Sequence, residues 1–356
     1  MSAKKQVNVV ELKLKQMKDR WAKQISKFIK KPDFMSDKIL PLVLTNEEAY
    51  LRNERAHGMA NLDFNKKDER KIYDLICDVF SRLTMPKLVS VQPAESPVCL
   101  TFFMNRKQEK SENSEAYLPQ INISVETIPV SAKSIRLNTF CLFGKTNKDE
   151  TDDLHSELSR KETDTYIYNE TVKSIANEID RYIVTELISG VSEKSVLVED
   201  VSSYLPGNGT FALENASNNL FRSCFSKAKW IIGSPEYVQL IIGKKLYLRD
   251  GIFLAGNVSG IDIWCDVFFP YAALIGSGGE NIIDNGCIWS PYIPLVFLPG
   301  ALDPCSSPTA ELYPRSYIRH AVTVTNPGRF MLLTDKKTAE NIATKKIMEK
   351  IKPVQI

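Results

Sequence analysis

One segment sets the scale of this chain. From about Thr163 to Ser189 apolar residues recur at helical spacing: Ile167, Thr171, Ile175, Ile179, Tyr182, Ile183 and Leu187 share one face. Glu170, Lys173, Glu178 and Arg181 mark the wet side, and Gly190 ends the run. At 1.5 Å per residue the helix is roughly 40 Å long, a strut rather than an ordinary domain helix.

A second segment is as demanding. From Pro97 the period becomes two, with Val98, Leu100 and Phe102 alternating with their neighbours, and Ile121, Ile123 and Val125 doing the same. Charged sequence from Asn105 to Glu115 separates them, which predicts a long hairpin with a polar tip, followed by a further alternating strand from Ser134 to Phe143. A lone two-stranded hairpin is marginal in water, so this one needs support from its own globule or from another subunit.

Around these two features the chain reads as α+β. Val9 to Lys31 forms a basic amphipathic helix with Val10, Leu14, Met17, Trp21, Ile25 and Phe28 on one stripe. Pro32 stops it, and a less regular stretch holding Pro41 and Gly58 follows to about Asn65. A helix from Lys67 to Leu83 buries Ile72, Leu75, Ile76, Val79 and Phe80; together these segments suggest an extended arm. After the long helix come a Pro206-Gly207-Asn208-Gly209 turn, a helix near Ala216 to Ala228 and a buried strand from Lys229 to Ile232. Ile261 to Phe269, Gly286 to Leu298 and Tyr317 to Thr325 read as strands, and Thr334 to Lys352 as a short helix or tail.

Composition excludes several functions. A net charge of +3 over 356 residues is too small for a protein that coats nucleic acid along its length. The basic residues are concentrated, however: about ten Lys and Arg precede Pro32, against Glu11 and Asp19. Three readings of this arm stay open: a helix docked on protein through Trp21 and Phe28 with its lysines in solvent, a membrane-surface helix, or a basic arm whose Lys13, Lys15, Lys18, Arg20, Lys23 and Lys27 attract phosphate without sequence preference. Seven scattered cysteines without a CxxC pair read as reduced core residues, and neither a membrane span nor a signal peptide is expected.

No catalytic, cofactor or metal constellation emerges. His57, His155 and His320 lie far apart without HExxH or a Cys/His quartet. Gly276-Ser277-Gly278-Gly279 lacks the Walker lysine and reads as a turn. The acid pairs Glu47/Glu48, Asp149/Glu150 and Asp152/Asp153 sit in hydrophilic sequence and read as solvated surface, not as the desolvated pair that acid/base catalysis requires.

Five local patterns, in order along the chain, resemble the major capsid proteins of T-even-type tailed bacteriophages. They are Ile121 to Thr127 with Val130 to Ser134, Glu170 to Leu187, Trp230 to Ser234, Asp284 to Leu295, and Tyr317 to Pro327. The most specific is Trp289-Ser290-Pro291-Tyr292-Ile293-Pro294-Leu295, similar to that family's aromatic-small-Pro-Tyr-x-Pro-Leu strand. The resemblance spans about Pro97 to Phe330; the chain departs from it in being short, without the accessory insertion, and in showing no prohead-protease site near its start.

The resemblance implies an HK97-like capsid fold. Residues 1–96 would be an N-terminal arm, 97–143 the E-loop, 144–215 the P-domain with its spine helix, 216–330 the A-domain with returning P-domain strands, and 331–356 a C-terminal helix or tail. It implies self-assembly into hexamers, with pentamers of the same chain left open, of a virion shell built in the bacterial cytoplasm. Partners would be scaffold, portal or decoration proteins and, on the inner face, DNA, with no membrane. Lys133, Arg136 and Arg319 are candidates for contacts between subunits, and Trp289, Pro291 and Tyr292 for the A-domain core or capsomer centre. The rival functions are a capsid vertex paralogue, an encapsulin-like compartment shell and, from another class, a nucleic-acid-binding enzyme.

Overall fold

The computed structural model describes residues 3–31, 33–56, 66–110, 117–129, 131–135, 160–191, 195–198, 209–278, 284–301 and 313–334. The long helix, α4 (Arg160–Gly190), has 31 residues, about 46 Å at the helical rise. Its apolar face is sealed: Val172, Ile175, Ala176, Ile179, Ile183 and Leu187 are all buried. Gly190 is required by proximity, because a Cβ there would lie 2.5 Å from the Val324 side chain.

Two sheets flank this helix. In the six-stranded sheet the order is β5 (Val196–Val198), β12 (Phe330–Thr334), β9 (Ala273–Gly276), β6 (Trp230–Gly233), β8 (Ile261–Asp266) and β7 (Ile252–Val258). Its central strands are buried on both faces, which explains their unbroken apolar sequences. Trp230, Ile232, Trp264, Leu274 and Leu332 join the cluster that includes α4, whereas Ile231, Ile263, Ile275 and Leu333 join the cluster under α5 (Gly209–Cys224) and α6 (Pro235–Ile242). The four-stranded sheet runs β1 (Ser90–Val91), β10 (Cys287–Ala301), β11 (Tyr313–Val324) and β4 (Ser131–Ile135). The chain is thus an α+β protein.

The N-terminal region differs from the expected extended arm. α1 (Ala3–Ile25) is followed by a π turn at Met35–Ile39 and by α2 (Leu40–Ala56), in the stretch read as irregular, and then by α3 (Lys66–Arg82). α2 escapes a periodicity argument because Ile39, Leu40, Leu42, Val43 and Leu44 are buried nearly all round, leaving no stripe to detect. Trp21 locks α1 in place: its ring meets Tyr73 edge-on at 4.9 Å and its Nε1–H donates to Thr45 Oγ1 at 3.1 Å. These helices form a layer within the main core.

α6 is also absent from the sequence reading. It is short and apolar, yet it carries a full set of end signals: Ser234 accepts the Tyr237 N–H as N-cap, Pro235 opens the first turn, and Gly243 closes it at φ +66. The helix expected near Ala216 to Ala228 begins earlier, at Gly209, and ends at Cys224. The glycine run is no exposed turn. Gly276 ends β9, where a Cβ would meet the Trp230 ring at 2.1 Å, and the buried Ser277 donates its N–H to Arg329 O at 3.0 Å.

Of the strand expected from Ser134 to Phe143, β4 holds Ser134 and Ile135; residues 136–143, the acid pairs at 149–153, and the tail from 335 lie outside the described residues. The pair Glu47/Glu48 corrects the solvated-surface reading: Glu47 is fully buried on α2, and Glu48 binds Arg20 and Arg52.

Candidate interaction site: the projecting hairpin and its root

β2 (Val98–Lys110) and β3 (Tyr117–Pro129) form a two-stranded sheet of their own. The register is unbroken from Val98↔Pro129 to Lys110↔Tyr117. Because side chains alternate between faces, this register sorts the hairpin into two chemically different sides. Leu100, Phe102 and Met104 share a side with Thr127, Val125 and Ile123. Thr101, Phe103 and Asn105 share the other with Glu126, Ser124 and Asn122.

At the root the polar side turns inward and the apolar side outward. Thr101 and Phe103 are buried, while Val98 is 50% and Phe102 46% exposed. The root is held firmly. The Gln92 side chain donates to Phe102 O at 2.7 Å and accepts the Phe102 N–H at 2.9 Å, closing both backbone groups of one residue. The segment that carries Gln92 is itself bonded to β10, through Gln92 N–H to Trp289 O and Ala94 N–H to Pro291 O, both at 3.0 Å. β3 leads across residue 130 into β4, which pairs with β11, so both strands of the hairpin spring from the four-stranded sheet.

The motif residues gather at this sheet. Trp289 is fully buried in the cluster that contains α4. Its Nε1–H donates to His320 Nδ1 at 3.0 Å, which fixes that nitrogen as unprotonated. Tyr182 of α4 stacks on His320 at 4.6 Å, and Phe80 lies 5.7 Å from Trp289. Pro291 is buried, with its carbonyl bonded to Ala94, whereas Tyr292 is half-buried and its carbonyl accepts from Asn46 at 3.1 Å. Arg319 places its guanidinium over the Tyr292 ring at 5.5 Å. In the backbone register β4 pairs Lys133 with the buried Ile318, and Ala132 with Arg319. Arg136, like His57 and His155, lies outside the described residues.

On α1 the basic residues divide. Lys18 pairs with Asp37 at 2.8 Å, Lys27 with Asp74 at 3.0 Å and Arg20 with Glu48, so half of the candidate cations serve the fold. Lys13, Lys15 and Lys23 are exposed and make no ion pair among the described residues.

Arg329 and Asp180 are among the buried charges that escaped the sequence reading. Arg329, fully buried in the Pro327–Arg329 turn, forms an ion pair with the Asp284 carboxylate and donates to Asp284 O at 3.1 Å. Nothing in the sequence distinguishes it from a surface arginine. Asp180 is buried on α4, where its carboxylate accepts the Thr84 N–H at 2.8 Å and the Met85 N–H at 3.0 Å. Here a signal existed, since position 180 follows Ala176 by four residues and precedes Ile183 by three, on the apolar stripe.

The described residues offer little reactive chemistry. Burial, helped by Asp74, pushes the Cys77 thiol up to about 12, and burial pushes Cys265 up to about 11 and Cys287 higher still, so these thiols stay protonated and inert. No group of three or more His, Cys, Asp or Glu side chains is placed to hold a metal ion, and no helix is long and apolar enough to cross a membrane, among the described residues.

No family model and no curated protein matches this chain. Solved structures do resemble it. A chain from Mycobacterium phage Ogopogo has a TM-score of 0.43 at 13% identity, covering 71% of this chain and 91% of that one. A virus-like particle from Pyrococcus furiosus has a TM-score of 0.42 at 11% identity, covering 74% and 98%. The capsid of cyanophage P-SCSP1u has a TM-score of 0.40 at 10% identity, covering 71% and 88%. Likenesses of this size assign no function, and they give no support to the T-even subgroup of the resemblance.

Proposed function

We propose that this chain is the shell-building subunit of a tailed-phage capsid with the HK97-like arrangement, within it the T-even type that the sequence motifs resemble, and that its role is structural rather than enzymatic. The observation that carries this reading is the hairpin. At its root the outward side carries Val98, half exposed, and Phe102, nearly half exposed, with no cover from its own globule. Burying apolar surface gives about 25 cal/mol per Å², and a ribbon that lacks its own cover gains that stabilisation only against another copy. In a shell each copy would both give a hairpin and receive one, a head-to-tail contact that closes into rings.

The other features fit. A helix of about 46 Å suits a thin plate tiled over a curved surface. Inert buried thiols suit a protein that only has to hold together. Lys13, Lys15 and Lys23 leave a small basic surface for phosphate of enclosed DNA, a contact weaker than the six cations of the sequence suggested. Arg319 with Tyr292 is a candidate contact between subunits at the hairpin root, and scaffold, portal and decoration proteins would be the further partners of a virion shell assembled in the bacterial cytoplasm.

Negative-stain imaging of the purified protein tests this directly, with closed shells or ring-shaped capsomers as the expected result. Changing Val98 and Phe102 together to serine should leave folded monomers that no longer assemble. Unchanged particles from that variant would sink the proposal.

A further inference from the structure

We propose that α5 pairs with the same helix of a second copy, antiparallel, about a two-fold axis that passes beside Asn218. The helix has two opposed stripes. Leu213, Ala216 and Leu220 are buried against the six-stranded sheet. On the other side Phe211, Glu214, Asn215, Asn218, Phe221 and Arg222 follow one another at helical spacing, and all six are exposed. Phe211 is 64% exposed and Phe221 45%, so one outward stripe carries large rings at both of its ends. Phe225 adds a third ring just beyond the helix. Its φ of +56 lies in the left-handed region that glycine or asparagine ordinarily fills at a helix end, where a bulky residue is strained. In that conformation its ring stands edge-on to Phe221 at 6.4 Å and extends the aromatic end of the stripe.

The stripe is its own complement. An axis beside Asn218 brings the position four before it level with the partner's position four after it, and the position seven before level with the one seven after. Glu214 then meets the partner's Arg222, and Phe211 meets the partner's Phe225. Glu214 and Arg222 make no ion pair among the described residues, so both charges are available for this contact. Asn218 meets the partner's Asn218 on the axis, where each side-chain amide offers both a donor and an acceptor. A parallel pair has none of these matches, because it sets Glu214 beside the partner's Glu214 and Arg222 beside the partner's Arg222. The contact is small: a helix of 16 residues is about 24 Å long, and two of them bury less than the roughly 1,200 Å² of a stable free dimer. Free subunits therefore pair weakly, and copies held side by side pair more strongly through their effective concentration. The pairing uses no group of the hairpin and does not rest on the shell reading.

Disulfide trapping on the full-length chain tests the pairing, carried out both in the otherwise unaltered protein and with Val98→Ser and Phe102→Ser present, so that a failure of hairpin-driven assembly leaves the result readable. Asn218→Cys, on the axis, should give several-fold more cross-linked dimer under mild oxidation than Lys244→Cys, an equally exposed position away from the stripe. Charge reversal supplies the sign. With Asn218→Cys present, Glu214→Arg or Arg222→Glu alone should lower the dimer yield several-fold, and the two together should restore it, an outcome that a purely local role for either side chain does not produce. All of these positions are exposed, so the substitutions leave the core intact. Cross-linking of Asn218→Cys no greater than that of Lys244→Cys, or a double reversal that fails to restore what each single reversal removes, would overturn the pairing.

Discussion

Two strands of this chain show what a single copy can and cannot supply. In β6 every residue from Trp230 to Gly233 is buried, because the helical layer with α4 covers one face and α5 and α6 cover the other. In β2 burial alternates: Thr101 and Phe103 are sealed, and Phe102 between them is not. The chain gives β6 two covering layers and β2 only one. The side of β2 left over is the apolar one, the reverse of what an ordinary surface hairpin presents. The first strand stabilises the subunit, and the second keeps its stabilisation in reserve for a partner.

Substitutions sharpen this contrast, and their effects on the isolated subunit should fall steeply from core to hairpin. Trp289→Ala should cost about 4 kcal/mol of unfolding free energy in chemical denaturation, by opening a cavity beside α4 and removing the donor to His320. Arg329→Met should cost about 3 kcal/mol, since Asp284 would remain largely buried without its counter-ion; a loss below about 1 kcal/mol would mean that the pair contributes little to closing β9 against β12. Trp21→Phe should cost about 1 kcal/mol through the lost bond to Thr45, read as a small drop in the denaturation midpoint. Val98→Ser with Phe102→Ser should change subunit stability by no more than about 0.5 kcal/mol each while abolishing assembly. A large loss of subunit stability from that pair would break the comparison, because it would show that the hairpin already serves its own copy.

The α1 cations offer a finer test. Neutralising Lys13, Lys15 and Lys23 should leave thermal stability unchanged and weaken any salt-sensitive binding of DNA, whereas neutralising Lys18, Arg20 and Lys27 should lower stability slightly, by a few tenths of a kcal/mol for each exposed pair. Equal effects of the two sets on DNA binding would show that the ion pairs do not persist in solution.

Much of the architecture was legible in the residues because it is local. The periods of α3 and α4 place Ile72 to Phe80 and Ile175 to Leu187 where the structure buries them, and the alternation around Phe102 and Ile123 gives the pairing of β2 with β3. α2 and α6 were hidden by their own burial: a helix covered on all sides has no stripe, and Pro41 in the first turn of α2 reads as a break. The candidate site was legible in part. The strand that carries Trp289 to Leu295 stood out, but the pairing of Lys133 with Ile318 and of Arg319 with Ala132 depends on a register that no single strand reveals.

By itself the sequence determined which segments repeat at 3.6 and which at 2, that α4 is a long strut, and that the hairpin has an apolar side; the pairing of the charged stretches out to Lys110 and Tyr117 was not among them. Those properties follow from backbone geometry within a few turns or a few pleats. Only the tertiary structure decided which side of the hairpin faces its own globule, that Glu47, Asp180 and Arg329 are buried, and that half of the α1 cations are internally paired. Burial and pairing are set by residues tens to hundreds of positions away, as Asp180 is by Thr84 and Arg329 by Asp284, and distances of that kind exist only once the chain has closed on itself.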